Sequence, residues 1–314
     1  MSGLNRHSDL GKVIVLMIAM LCFQYDAQAQ QTTLYSQYMF NPFTINPAYA
    51  GSRKAFSAVM LYRNQWVGIE GAPQSQSISV HTPFEGKNIG LGFNIINDKI
   101  GPTNNLGIFG TYAYHLQVGD GKLSMALRAG TYRFQLDGNA IEYKTPDKFT
   151  GASIAGSFIP SFDFGLYYYT KTLYGGLAIT HLAGGKFKFD GASDLSAQLG
   201  RHYMVNFGYA YILSKSFVLK PSVLIKYTAN APVNLDLNMS TLMKGVVWLG
   251  VSYRSSKDLV IIAEFNISSI LRVGYSYDLG LNTLQDFNSG SHELFIGADF
   301  NVGKPAQQIS PRLL

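Results

Sequence analysis

The residues able to do chemistry in this 314-residue sequence are six histidines, one cysteine and a scatter of acids, and their spacing keeps them apart. His7, His81, His115, His181, His202 and His292 form no H-E-x-x-H and no paired metal-ligand spacing. Ser291-His292-Glu293 does bring together the residue types of a hydrolase at a barrel rim. Neighbours on a strand point to opposite faces, however, so His292 and Glu293 would diverge. There is no G-x-S-x-G elbow and no Walker loop. The pairs Gly175-Gly176 and Gly184-Gly185 open no helix that could cradle a phosphate. The expectation is a protein without catalytic, cofactor-binding or metal-binding residues.

The elements that carry these residues are set by composition. Hydrophobic residues make up 47% and charged residues only 14%, about half of what a soluble surface uses. The sequence holds 32 glycines, 20 tyrosines and 20 phenylalanines, a mixture suited to a β wall with rings at a membrane interface. The net charge of +6 is dispersed, with no Lys/Arg run that would track a phosphate backbone, so nucleic acid is not an expected partner. Arg6 and Lys12, the apolar run Val13 to Phe23 and the small-x-small Ala27-Gln28-Ala29 read as a signal peptide over 1–29, with an uncleaved anchor as the other reading. Cys22 falls inside it, which would leave the exported chain without a thiol. Bulky Met20 and Leu21 before Cys22 argue against lipidation. No other stretch is apolar for the ~18 residues that mark a spanning helix, so a membrane form must use strands.

From residue 56 onward, period-two alternation recurs in about fourteen segments of roughly ten residues, each long enough for a tilted transmembrane strand. They begin near Phe56, Ser75, Ile89, Leu106, Leu123, Phe162, Leu173, His202, Phe217, Val233, Val246, Leu259, Leu271 and His292. In the third, Ile89, Leu91, Phe93 and Ile95 alternate with Gly90, Gly92 and Asn94. Every second connection is short, around Glu85-Gly86-Lys87, Gly119-Asp120-Gly121, Lys171, Lys215, Lys244 and Ser268-Ser269. The intervening ones include the longest, about 133–161, 182–201 and 278–291. Such sorting by parity belongs to an outer-membrane β-barrel with short periplasmic turns and long extracellular loops, which places both termini in the periplasm. The expected fold is therefore all-β: a transmembrane barrel of about 14 antiparallel strands over 56–302, preceded by a periplasmic segment at 30–55 and followed by a periplasmic tail at 303–314.

Parity assigns Arg128, Asp163, Lys220, Lys226, Asp236, Glu264, Arg272, Glu293 and Asp299 to the inward face. Glu264 and Arg272 flank a short turn nearly symmetrically and would face each other across it. Mixed signs predict a lumen crossed by ion pairs and partly filled; the other reading is an open pore with solvated charges. Asn41-Pro42 and Asn46-Pro47 exclude an ordinary ladder strand. With Tyr35, Tyr38, Phe40, Phe43 and Tyr49 between and around them, residues 32–52 are expected to pack against or inside the periplasmic end, as a partial plug or docking surface. A loosely tethered extension is the alternative.

The segment Leu34-Tyr35-Ser36-Gln37-Tyr38-Met39-Phe40-Asn41-Pro42, then Ile45-Asn46-Pro47-Ala48-Tyr49-Ala50-Gly51-Ser52, closely resembles the N-terminal motif of the PorP/SprF family. The resemblance continues through Tyr62-Arg63-Asn64-Gln65-Trp66-Val67-Gly68-Ile69-Glu70-Gly71-Ala72-Pro73 and on to Leu271-Arg272-Val273-Gly274-Tyr275-Ser276-Tyr277-Asp278. It implies an integral outer-membrane component of the type IX secretion system, serving protein export and, in gliding bacteria, motility. The partners it implies, beside outer-membrane lipid, are cargo proteins with a C-terminal sorting domain, adhesins included, and periplasmic parts of the machine. It offers no catalytic residues. A passive or substrate-specific transport porin is the rival reading, since it would share the architecture.

Overall fold

The computed structural model describes residues 35–140, 153–184, 186–189 and 192–301. The proposed signal peptide and the C-terminal tail lie outside them. Fourteen antiparallel strands close into a barrel. In chain order they are β1 (Ala55–Asn64), β2 (Gln74–Phe84), β3 (Ile89–Ile100), β4 (Thr103–Val118), β5 (Gly121–Asp137), β6 (Ser153–Tyr169) and β7 (Leu173–Thr180). There follow β8 (His202–Tyr209, continued by Tyr211–Ser214), β9 (Phe217–Thr228), β10 (Asn234–Met243), β11 (Val247–Arg254), β12 (Asp258–Asn266), β13 (Leu271–Gly280) and β14 (Ser291–Asn301). Neighbours in sequence pair with each other, and β14 returns to β1 from Ala55 opposite Asn301 to Asn64 opposite His292. Closure removes the free edges that an open sheet would expose in lipid.

The alternation read from the sequence is the alternation of burial. Leu91 and Phe93 on β3, and Tyr203, Val205 and Phe207 on β8, are exposed on the outer wall. Gly90, Asn94, Met204, Asn206 and Ala210 are buried inside. The apolar outer wall is large because lipid, not water, is its solvent.

One end of the barrel carries the tight turns, such as 119–120 between β4 and β5 and 215–216 between β8 and β9. The connections 138–152, 181–201 and 281–290 are all at the other end. Within the stretch 133–161 that the sequence reading took for loop, residues 133–137 and 153–161 are strand, which corrects that reading. Both β5 and β6 have 17 residues and stay paired as far as Asp137 opposite Ser153, across an irregularity between Arg133 and Gln135. A spanning strand needs only ~9–11 residues, so these hairpins rise beyond the membrane-crossing part of the wall. The connection 181–201 also carries a small hairpin, Lys186–Phe189 with Ala192–Gln198, which the sequence reading treated as plain loop.

Candidate functional site

The lumen is occupied by the chain's own N-terminal segment. Tyr35 to Ser52 precedes β1, and from Tyr35 to Phe43 every residue is buried. The two Asn-Pro pairs make turns: Pro42–Thr44 and Pro47–Tyr49 are single 3-10 turns with proline in first position. The missing N–H of proline costs nothing there. Asn46 caps the second turn, its Oδ1 accepting from Ala48 N at 2.9 Å, while its Nδ2 donates to Leu166 O of the wall at 2.9 Å.

Contacts along the segment trace its path. Near the tight-turn end Arg53 Nη1 meets Asp299 Oδ2 at 3.0 Å, and its Nε donates to Tyr49 OH at 2.9 Å. Asp299 also receives Ser57 Oγ at 2.6 Å and lies 3.1 Å from Arg272 Nε. Halfway up, Asn41 Nδ2 donates to Ser79 Oγ at 2.9 Å, and Phe40 packs on Trp248 with ring centres 5.9 Å apart. Phe43 and Tyr49 both set edges against His81, at 5.2 and 5.4 Å, and Tyr49 does the same to Tyr167. At the long-loop end, Glu293 accepts Ser36 N at 2.7 Å and Gln37 N at 2.9 Å. Ser36 Oγ donates to Asp278 Oδ2 at 2.7 Å, and Tyr38 OH reaches Asp236 Oδ1 at 3.4 Å. The segment thus reaches further than the tight-turn end at which the sequence placed it. It runs the height of the lumen, and Tyr35 and Ser36 lie among the strand ends that carry the long loops.

The wall has room cut for it. A Cβ on Gly90 would lie 2.1 Å from Ala50 O, one on Gly92 2.3 Å from Phe43 Cζ, and one on Gly274 2.3 Å from Gln37 Oε1. These inward glycines let the segment's backbone and rings approach closely.

Of the inward charges expected from parity, the structure pairs several. Arg128 Nε lies 2.5 Å from Asp163 Oδ2, whose other oxygen accepts His181 N at 2.8 Å. Arg272 Nη1 lies 3.4 Å from Glu264 Oε1. They are diagonal rather than opposite, because Arg272 faces Asn266 and Glu264 faces Gly274 in the ladder. Asp236 Oδ2 takes Arg254 Nε at 3.2 Å. Lys220 and Lys226 depart from the expectation: neither makes an ion pair among the described residues. Lys220 donates to Met39 O at 3.4 Å and lies over the rings of Tyr174 and Trp248, at 5.3 and 5.7 Å. It binds the segment through a carbonyl and π faces instead of a carboxylate.

The sequence reading missed the arginines that tie the upper cluster together. Arg63 Nη2 meets Asp278 Oδ2 at 2.7 Å, and its Nη1 lies 3.3 Å from Glu293 Oε2. Arg254 Nη1 meets the same Asp278 oxygen at 3.2 Å. Strand parity offered a signal, since Arg63 shares its face with Ser57, Val59 and Leu61, all buried. Both arginines sit at strand ends, where parity does not separate lumen from loop.

Above this cluster the loop 65–73 bends back over the mouth. Trp66 there has φ 45, a left-handed geometry that costs a non-glycine residue on the order of 1–3 kcal/mol. Ser291 Oγ accepts its N–H at 3.1 Å, and the flanking pairs Val67 N to Gly290 O at 2.9 Å and Ser289 N to Val67 O at 2.7 Å hold it in place.

A closed antiparallel barrel with an apolar outer wall and a polar, plugged interior defines an outer-membrane β-barrel protein. Among solved structures it is similar to CymD, a monoaromatic hydrocarbon channel, at 12% identity over 87% of this chain and 94% of that one, with a TM-score of 0.51. It is also similar to CdiB from Acinetobacter baumannii, at 9% identity over 79% of this chain and 60% of that one, with a TM-score of 0.47. At 12% identity the likeness to CymD is one of fold alone. No curated protein matches it in sequence. The family match is specific: residues 27–298 fit the type IX secretion system membrane protein PorP/SprF, and the chain belongs to that family. It is accordingly an outer-membrane component of a type IX secretion system.

Proposed function

We propose that this barrel works as a closed docking platform: it binds cargo bearing a C-terminal sorting domain, of the gliding-adhesin kind, and supports its export or surface attachment. Periplasmic components of the machine would engage the tight-turn end. The proposal includes a cleaved signal peptide at 1–29, short turns in the periplasm and long loops at the cell surface. It treats Tyr35, Tyr38, Phe40, Asn41, Pro42, Asn46, Pro47 and Tyr49 as a built-in plug, not as a tethered extension.

The observation that carries this reading is the occupied lumen. Burying the five large rings of the segment is worth roughly 1.5–3 kcal/mol each, so emptying the barrel would cost on the order of 10 kcal/mol before any polar contact is counted. A barrel so filled is a poor conduit for solutes. The rival, a passive or substrate-specific porin, requires that segment to leave. Single-channel recording separates them: the platform gives little or no current, and a porin gives steady large steps. Pull-down of the detergent-solubilised protein with mass spectrometry tests the partners. Recovery of neither cargo nor machine components would overturn the platform.

A further inference from the structure

At the long-loop mouth lies a cleft of about 470 Å³ with no residue of the plug in its lining. Its polar side includes three cations, Arg63, Arg254 and Lys226, against two carboxylates, Asp258 and Asp278, and its apolar side includes Trp66, Pro232, Val233 and Leu284. The two arginines already share Asp278. Lys226 has no hydrogen-bond or ion-pair partner among the described residues. Arg63 keeps a buried Nε–H without an acceptor, and Asn234, also on the cleft wall, keeps a buried Oδ1 without a donor. Unmet buried polar atoms are uncommon in folded proteins and ask for a partner. Opposite them stands the indole whose strained backbone is locked by the contacts to Gly290 and Ser291.

We infer that this cleft binds an extended peptide segment of another protein through a carboxylate. The carboxylate meets Lys226 and Arg63 Nε, a backbone N–H of the segment meets Asn234 Oδ1, and an apolar side chain lies on Trp66 and Leu284. A lysine that makes no ion pair among the described residues, beside the unpartnered Arg63 Nε–H, complements a carboxylate, and the unpartnered Asn234 Oδ1 complements a peptide N–H. The aromatic and proline side supplies apolar area for the neighbouring side chain. This deepens the docking-platform reading, on which it rests, by placing one partner contact at the mouth.

The test is calorimetric titration of the detergent-solubilised, exported form of the chain with a pool of N-acetylated hexapeptides carrying a free C-terminal carboxylate, against the same pool amidated. A charge-assisted contact predicts that the acid pool binds about tenfold or more tightly than the amide pool. Lys226→Ala should lose a similar factor, Lys226→Arg should stay within about threefold, and Trp66→Ala should weaken both pools. Lys226 leaves no partner orphaned when removed, so the alanine variant should fold, as heat-modifiable migration would verify. Equal binding of acid and amide pools, no binding of either, or an unchanged Lys226→Ala protein overturns the inference. If cargo still co-purifies with the wild-type barrel in that case, the platform stands and only this site falls; if cargo is also absent, the platform falls as well.

Discussion

Replacing Glu293 by alanine should loosen the upper part of the plug and leave its lower part seated. Glu293 is fully buried and accepts the backbone N–H of Ser36 at 2.7 Å and of Gln37 at 2.9 Å, with Arg63 Nη1 at 3.3 Å. Its removal breaks one arm of a buried ion network, which typically costs about 3–5 kcal/mol, and leaves two buried amides without their acceptor. Burial of Tyr35 and Tyr38, at roughly 1.5–3 kcal/mol each, and the bond from Ser36 Oγ to Asp278 still oppose release, so residues 35–38 open far more often without leaving the lumen. Phe40, Phe43 and Tyr49 stay packed on Trp248, His81 and Tyr167, which the substitution does not touch. Hydrogen exchange in detergent or nanodiscs reads this directly. At 1.4 kcal/mol per decade, protection at Ser36 and Gln37 should fall by about two to three orders of magnitude. Ala48, whose amide is capped by Asn46, should exchange as in the wild type. Glu293→Gln, which keeps an acceptor but not the charge, should fall between. Unchanged protection at Ser36 and Gln37 would refute the reasoning, as would a loss spread evenly down to Ala48.

Other outcomes follow from the same geometry. Gly90→Val places a branched side chain against the backbone oxygen of Ala50 and should displace the lower plug, lowering the thermal midpoint of heat-modifiable migration by several degrees. Asp163→Ala strands buried Arg128 and should cost about 3–5 kcal/mol in urea-unfolding assays, whereas Arg128→Met with Asp163→Leu should cost much less. Cysteines at Asn41 and Ser79, whose side chains touch at 2.9 Å, should cross-link through a short thiol reagent in the folded barrel and not in the unfolded chain. If secretion continues with that cross-link in place, the plug does its work without leaving.

Much of the barrel was legible in the sequence because a wall between lipid and an enclosed interior forces a local rule. A residue and its second neighbour share a face, so Leu91 with Phe93 and Asn206 with Gly208 declare their sides without knowledge of any partner. Turn residues then mark the strand ends, and most starts fall within a residue or two of Ala55, Gln74, Ile89, Leu173, His202 and Phe217. The start of β6 was misplaced because a paired hairpin rising into water no longer needs the lipid-facing pattern that marks a spanning strand.

The sequence by itself determined the class, the wall and the inward set of charges. Only the tertiary structure decided which charges meet and where the first segment goes. Ser36 and Glu293 lie 257 positions apart and touch because the chain closes on itself, bringing β14 to β1. Pairing inside a closed wall depends on stagger and on what fills the interior, and neither is a local property. That is why Arg63 and Arg254 came to hold the plug through Ser36 Oγ while Lys220 found a carbonyl, and why Lys226 makes no ion pair among the described residues, where ion pairs were expected.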